Sequence, residues 1–344
     1  MRYAVAATVL GMALALSTGA RAQGTLNVYT WSGYLPPELI KQFEQENDAT
    51  VTVDNYDSNE TLLAKLKLGG TGYDIVFPSN NFVPILIKEK LIQEVGAKDL
   101  SGYSNLVEKF QSPPWDPTGT YTIPFDITTT GIAVNTDVYK GDIDTYKILF
   151  EPPPELQGKI NMFDTPSEAV AQASIYLGVP LCSDKPAEMQ KVADLFTQMK
   201  PYIKTFSGKA GTIREGLAAG EIAISPLWSG STQRTRKLRA SIHYAYPKEG
   251  VLAALDTVAV PTGAQHVDLA KKFMAFLLRP ETAGAVSNLL NYPNAVKGSE
   301  KFMDPELSAS PEMNIPADRN VVFMETCSAE ATKLQDRLWT NFMK

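Results

Sequence analysis

Two carboxylates and a set of aromatic rings are the groups in this chain most able to do chemistry. Trp31-Ser32-Gly33-Tyr34 places two aromatics around two small residues, and Trp228-Ser229-Gly230-Ser231 repeats part of that pattern. Asp164-Thr-Pro-Ser-Glu168 puts an acid at a helix start, and Asp256 stands among Leu255 and Val258 in an apolar run. Aromatic faces attract ammonium groups and pack on methylene chains. A carboxylate takes charge-assisted hydrogen bonds from an ammonium. The chemistry on offer is therefore capture of an organic cation. Each feature also has a plainer reading. Aromatics after a strand can simply cap a core. Thr165 and Glu168 have the spacing of a capping box, in which Glu168 is only a capping acid. An acid in an apolar strand needs a partner, and a Lys or backbone amides would serve as well as a ligand cation.

Covalent chemistry has little to work with. The chain has no His-Glu-x-x-His, no Walker loop and no Gly-x-Ser-x-Gly elbow. Gly69-Gly-Thr-Gly72 is too short and misplaced for a dinucleotide fingerprint. Only two histidines occur: His243 in an expected strand and His266 in a polar turn. No catalytic residues, metal ligands or cofactor are expected. An enzyme would have to work with carboxylates alone, as glycosidases do, and no pair of them stands out.

The elements that must hold these residues read as an α/β fold. Thr25–Thr30, Thr50–Asp54 and Asp74–Phe77 have strand character, with helices opening at Pro36 and Ser58 between them. This β-α-β-α-β order predicts an open sheet with its ligand beyond the carboxyl ends of the strands. Trp31 to Tyr34 and Ser79-Asn80-Asn81 fall at those ends. Tyr121–Pro124 and Gly131–Asn135 read as strands leading out of this first lobe. A second set follows: a strand at Lys159–Phe163, helices at Ser167–Leu177 and Glu188–Met199, and a strand at Gly220–Ser225. Thr257–Val260 then crosses back, followed by helices from Asp268 and Glu281. Two crossing strands in place of a single tether imply a hinge.

Length and ends fit an exported protein of two lobes. Arg2, the uncharged apolar run Ala4–Leu16 and Ala20-Arg21-Ala22 form a signal-peptide pattern, with cleavage expected after Ala22. The run is shorter than the ~20 residues that span a bilayer, and no Cys at the cut suggests a lipid anchor. The rest, about 322 residues, exceeds the ~250–300 at which a single core stops growing. Net charge is −6, or −8 without Arg2 and Arg21. An acidic chain does not attract nucleic acid and weakly favours cations. Cys182 and Cys327 are the only cysteines. In an oxidising compartment they can bridge, or they can be two buried thiols that never meet.

Several collinear segments resemble the spermidine/putrescine-binding proteins of bacterial polyamine ABC importers. They are Leu26–Tyr34, Asp57–Glu60, Gly72–Ser79, Thr129–Ile132, Tyr246–Gly250 and Leu278–Glu281. The resemblance spans essentially the whole chain after the signal segment. It implies a periplasmic-binding-protein clamshell of α/β type with two crossing hinge strands. The implied first lobe is residues 24–130 and 258–310, and the second is 131–257 and 311–344, with 1–22 as the signal peptide. Aromatic walls fall on Trp31, Tyr34, Trp228 and Tyr292, with Ser32 beside the first pair. A polar contact falls on Ser79, amine-binding acids fall on Glu168 and Asp256, and a polar position near the C-terminus falls on Glu325. Placing Cys182 and Cys327 in one lobe favours their bridge.

The departures from the family pattern are Gly33 and Ser231 where acids are usual, and Ala254 and Ile127 where aromatics are usual. They imply a roomier cleft with fewer acids. The function implied is the periplasmic solute-binding component of an ABC importer. It would be a monomer and not an enzyme, docking on an inner-membrane permease and capturing putrescine, spermidine or a related cation. The alternatives are a ligand-presenting subunit of a polyamine-sensing system and a binder of agmatine or choline.

Overall fold

The protein is described by a computed structural model covering residues 24–344 apart from Asp57 and Gly70. The segment expected to be a signal peptide, residues 1–22, lies outside the described residues, as does Asp57 of one resembling segment.

Among the described residues, ten strands form one continuous sheet: β1 Gly24–Trp31, β2 Ala49–Tyr56, β3 Ile75–Val76, β4 Thr122–Asn135, β5 Ile160–Met162, β6 Ile203–Phe206, β7 Ile224–Trp228, β8 Ile242–Ala245, β9 Val251–Ala259 and β10 Val321–Phe323. Their order is β2-β1-β3-β9-β4-β7-β5-β6, with β10 against β9 and β8 against β4. β1 is parallel to β2 and β3, and β5 is parallel to β6 and β7. β4 and β9 run antiparallel to each other and join the two parallel halves. The expected pair of strands at Tyr121–Pro124 and Gly131–Asn135 is one 14-residue strand. The polar run Thr128-Thr129-Thr130 between them stays in the ladder, paired with Leu252–Ala254.

Two hydrophobic cores flank this crossing. One gathers Leu26, Val28, Phe43, Phe77, Leu255, Phe273 and Val286. The other gathers Ile132, Phe163, Val170, Phe196, Leu227 and Trp339. The inner parallel strands β3, β5 and β7 are buried on both faces, as parallel strands covered by helices are, while the edge strands β2 and β6 expose polar residues. β10 makes a further tie: it pairs with β9 while Phe323 packs on Trp115 of the first core, ring centroids 5.3 Å apart. The following helix Ala329–Met343 buries Leu338, Trp339 and Phe342 in the second core. Cys182 and Cys327 are joined, S–S 2.01 Å, closing a sequence separation of 145.

The helix expectations hold, with ends shifted by a residue or two, at Pro37–Asn47, Asn59–Lys67, Pro166–Leu177, Pro186–Met199, Val267–Leu277 and Pro280–Leu290. Ser58 caps its helix by accepting from the Thr61 amide at 3.1 Å. The strand expected at Gly220–Ser225 starts later, at Ile224. Gly220, at φ +78, instead ends the helix Ala210–Ala219 in a left-handed turn.

Candidate functional site

Carboxyl ends of the parallel strands from both halves converge on one cleft. Trp31 ends β1, Ser79 follows β3, Glu168 follows β5, and Trp228 ends β7. Gly33, at φ +73, turns the chain after β1 and swings Tyr34 back over the sheet. The Tyr34 ring stacks on Phe125 at 5.8 Å, and its hydroxyl donates to Asp256 Oδ2 at 2.6 Å. Trp31 is held by an indole N–H bond to the Phe77 carbonyl, 3.1 Å, and by the Tyr56 ring, 4.6 Å away.

Asp256 lies within β9 and is buried. Its second oxygen accepts from Ser79 Oγ at 2.5 Å. Asn59 holds Ser79 in turn: its Nδ2 donates to Ser79 Oγ at 2.9 Å, and its Oδ1 accepts from the Ser79 amide at 3.0 Å. The partners of Asp256 are thus neutral hydroxyls, neither the Lys nor the backbone amides that were open alternatives.

Glu168 is not a capping acid. Thr165 occupies the N-cap position without a side-chain cap bond. The Glu168 carboxylate turns to the cleft, where Thr130 Oγ1 at 2.6 Å and Trp228 Nε1 at 2.9 Å both donate to Oε1. Oε2 has no donor among the described residues. Trp228 stacks on Phe163 at 5.3 Å, which fixes the indole against the acid.

A third carboxylate escaped the sequence reading. Asp126 on β4 sits opposite Asp256 on β9 in the ladder and is 1 % exposed. Neither of its oxygens has a hydrogen-bond partner in good geometry among the described residues. Asp126 is an acid that the expectation of a cleft with fewer acids, drawn from Gly33 and Ser231, did not include. The signal available in the sequence was an acid in the β-rich run Thr122–Ile127. A β-bulge between Pro124 and Asp126 resets the in–out alternation there, so pattern alone could not say which face Asp126 takes.

Burial pushes the Asp126 carboxyl well above the usual carboxylate range, and the adjacent Asp256 charge adds to this, opposed in part by the Asp256 and Asp126 amides and the Tyr34 hydroxyl. Burial also raises Asp256, opposed by the Ser79 and Tyr34 hydrogen bonds. Glu168 is raised by burial against the bonds from Thr130 and Trp228. No Lys or Arg forms an ion pair with any of the three among the described residues.

Tyr292 is half-buried against the first core, its hydroxyl close enough to feel both Asp126 and Glu168. Ser32 is exposed at the rim. Glu325 is not brought to the acids: it is exposed and lines a neighbouring cavity of about 440 Å³ with Asn81, Ser167 and Thr326. Ser231 is buried and Ala254 partly so, leaving small side chains where bulk or charge was the family expectation. His266 Nδ1 faces the buried Asp74 at 3.1 Å, a structural contact at the base of the first lobe. No group of three or more potential metal ligands occurs among the described residues.

Two α/β halves, two crossing strands and a cleft at the strand ends define a two-lobed solute-binding protein. A family model for bacterial extracellular solute-binding proteins matches residues 38–315. The chain is 32 % identical over 307 residues to the spermidine/putrescine-binding periplasmic protein of Escherichia coli, covering 89 % of this chain and 86 % of that one. It is 29 % identical over 357 residues to the putrescine-binding periplasmic protein SpuD of Pseudomonas aeruginosa, covering 97 % and 96 %. The structure of the spermidine/putrescine ABC transporter substrate-binding protein PotD from Streptococcus pneumoniae superposes with a TM-score of 0.84 at 24 % identity, over 93 % of this chain and 98 % of that one. The chain belongs to the bacterial extracellular solute-binding proteins and, among them, to the spermidine/putrescine-binding family. No helix among the described residues is long and apolar enough to cross a membrane.

Proposed function

We propose that this protein is the periplasmic binding component of an ABC importer and that it captures a polyamine, putrescine or spermidine, in the cleft. The observation that carries the reading is the pair of cleft carboxylates Asp256 and Glu168, neither of which has a basic partner among the described residues. Buried acids are costly unless a cation offsets them. Here the protein provides only hydroxyl and indole donors, so a bound cation is the missing partner. Glu168 leans on the second half and Asp256 on the first, which suits a ligand charged at both ends. Trp31, Tyr34, Trp228 and Tyr292 supply faces for the methylene chain between. The named ligands of its relatives point to the same class.

The protein acts as a monomer by binding and closing, without catalysis, and delivers its ligand to a membrane permease. The lobes meet along β4 and β9, the first being 24–130 with 258–310 and the second 131–257 with 311–344. Export through a cleaved signal segment completes the reading.

Titration calorimetry of the mature protein with putrescine, spermidine, agmatine and choline tests it. Glu168→Gln keeps an oxygen for Trp228 and Thr130 but removes the charge. Diamine affinity should fall about tenfold or more, since hydrogen bonds to charged groups contribute ~1.5–3 kcal/mol. Unchanged affinity would take Glu168 out of the site, and binding of anions or sugars with no cation bound would end the polyamine reading.

A further inference from the structure

We infer that Asp126 is a ligand-binding residue that forms, with Asp256, a paired-carboxylate pocket for one end of the ligand, selecting cations that carry N–H donors over quaternary ammonium ions. The inference rests on the polyamine reading and deepens it.

Placement is the first support. Asp126 and Asp256 are direct cross-strand neighbours on β4 and β9, so their side chains share a face. That face is the cleft, because Asp256 meets the Tyr34 hydroxyl and Ser79 there. Asp126 also lies close to the hydroxyls of Tyr34 and Tyr292.

The unmet hydrogen bonding is the second. Asp126 is 1 % exposed, and neither oxygen has a donor in good hydrogen-bonding geometry among the described residues; the Asp256 and Asp126 amides and the Tyr34 hydroxyl offset its burial only in part. The single Tyr34 proton is committed to Asp256. A folded protein keeps a buried acid without donors only where something else supplies them. A like charge set opposite it makes the arrangement unfavourable for stability alone.

What fits is a nitrogen cation with several N–H groups. A primary ammonium brings three donors and a guanidinium end brings five in a planar fork. Either can bond Asp126 and still reach Asp256 Oδ2 or Tyr292. A quaternary ammonium has charge but no N–H, so it would leave the Asp126 oxygens as unsatisfied as before. The groups facing this pair are Asp256 from β9, Tyr34 from the turn after β1, and Tyr292 after the helix Pro280–Leu290. Glu168 and Arg234 act on Tyr292 from the second half. Ligand-free, the pair holds a proton that an incoming cation displaces.

The test is Asp126→Asn in the full mature protein, with Asp126→Ala as a second variant. Putrescine, agmatine and choline are titrated calorimetrically, in two buffers of different ionisation enthalpy. Putrescine and agmatine affinity should fall at least about tenfold, the scale of a lost charge-assisted bond, while choline changes less than about threefold. Fewer protons should be released on putrescine binding, and the ligand-free melting temperature should hold or rise. Putrescine affinity within about twofold of the unmodified protein, or an equal fall for putrescine and choline, overturns the role of Asp126 and leaves the functional reading intact. If the unmodified protein binds none of these amines, the functional reading falls first and this inference with it.

Discussion

At the scale of residues, the site is a set of acids whose charge the protein itself does not answer. Ser79 and Tyr34 orient Asp256, and Thr130 and Trp228 orient Glu168, but all four are neutral donors. Burial raises the protonation range of Asp126, Asp256 and Glu168 above that of the unfolded chain. The folded, ligand-free protein therefore holds more protons than the unfolded one within that range. Its stability should decline as pH rises through it. A bound cation needs the ionised forms, so affinity should strengthen as pH rises and level off above the raised values. The rise in melting temperature from saturating putrescine should thus be larger at about pH 8 than at about pH 5. An equal rise at both would mean that the acids are already ionised in the free protein. Asp256 and Glu168 were legible from sequence as isolated acids, but their partners were not. Ser79 is 177 positions from Asp256, and Thr130 is 38 from Glu168. Asp126 was missed because a bulge decides its face.

At the scale of elements, strand ends deliver the candidate binding groups, and ties from distant segments hold the ends in place. The Cys182–Cys327 bond fixes the segment after β10 to the loop before the helix Pro186–Met199. The buried Glu312 forms a two-pronged pair with Arg236, both bonds 2.9 Å, fastening residues 311–313 to the helix Ser229–Leu238. A link across 145 positions removes much freedom from the unfolded chain. Replacing both cysteines with serine should cost on the order of 2–4 kcal/mol in urea unfolding. A midpoint and slope matching the unmodified protein would show that the link restrains little. These elements were largely readable, since helix starts at Pro and Ser and short apolar strands carry local signals. Boundaries were less so: β4 runs on through three threonines because β9 pairs with all of them.

At the scale of the whole molecule, the two halves are shut on each other. Arg234, on the helix Ser229–Leu238, donates to the Leu290 carbonyl at 3.1 Å and to Asn291 Oδ1 at 3.2 Å, reaching the C-terminal end of the helix Pro280–Leu290. A cation is favoured at that end. Gly230 allows this approach: a Cβ there would stand 2.6 Å from the Asn291 carbonyl oxygen and 2.9 Å from the Tyr292 ring. Gly230→Ala should therefore hold the cleft partly open, leaving each half folded. Scattering should show the unmodified protein contracting with putrescine and the variant contracting less, with affinity down several-fold. Full contraction in the variant would remove Gly230 from the closing contact. A ligand drives closure only by its better contacts with the closed form.

Local physics made much of this protein readable from its residues. The alternation of short apolar strands with capped helices determined an α/β chain of two lobes. The rule that ligands gather at strand ends singled out Trp31 to Tyr34 and Ser79 to Asn81, while Glu168 stood out as an acid at a helix start and Trp228 as an aromatic beside small residues. Such signals depend on residues within a turn or two of each other. The tertiary structure alone decided which acids share a space. Asp126 and Asp256 meet through the register of two strands 130 positions apart, with a bulge selecting the face. Pairing register and strand irregularity follow from the whole sheet, and no local segment encodes them.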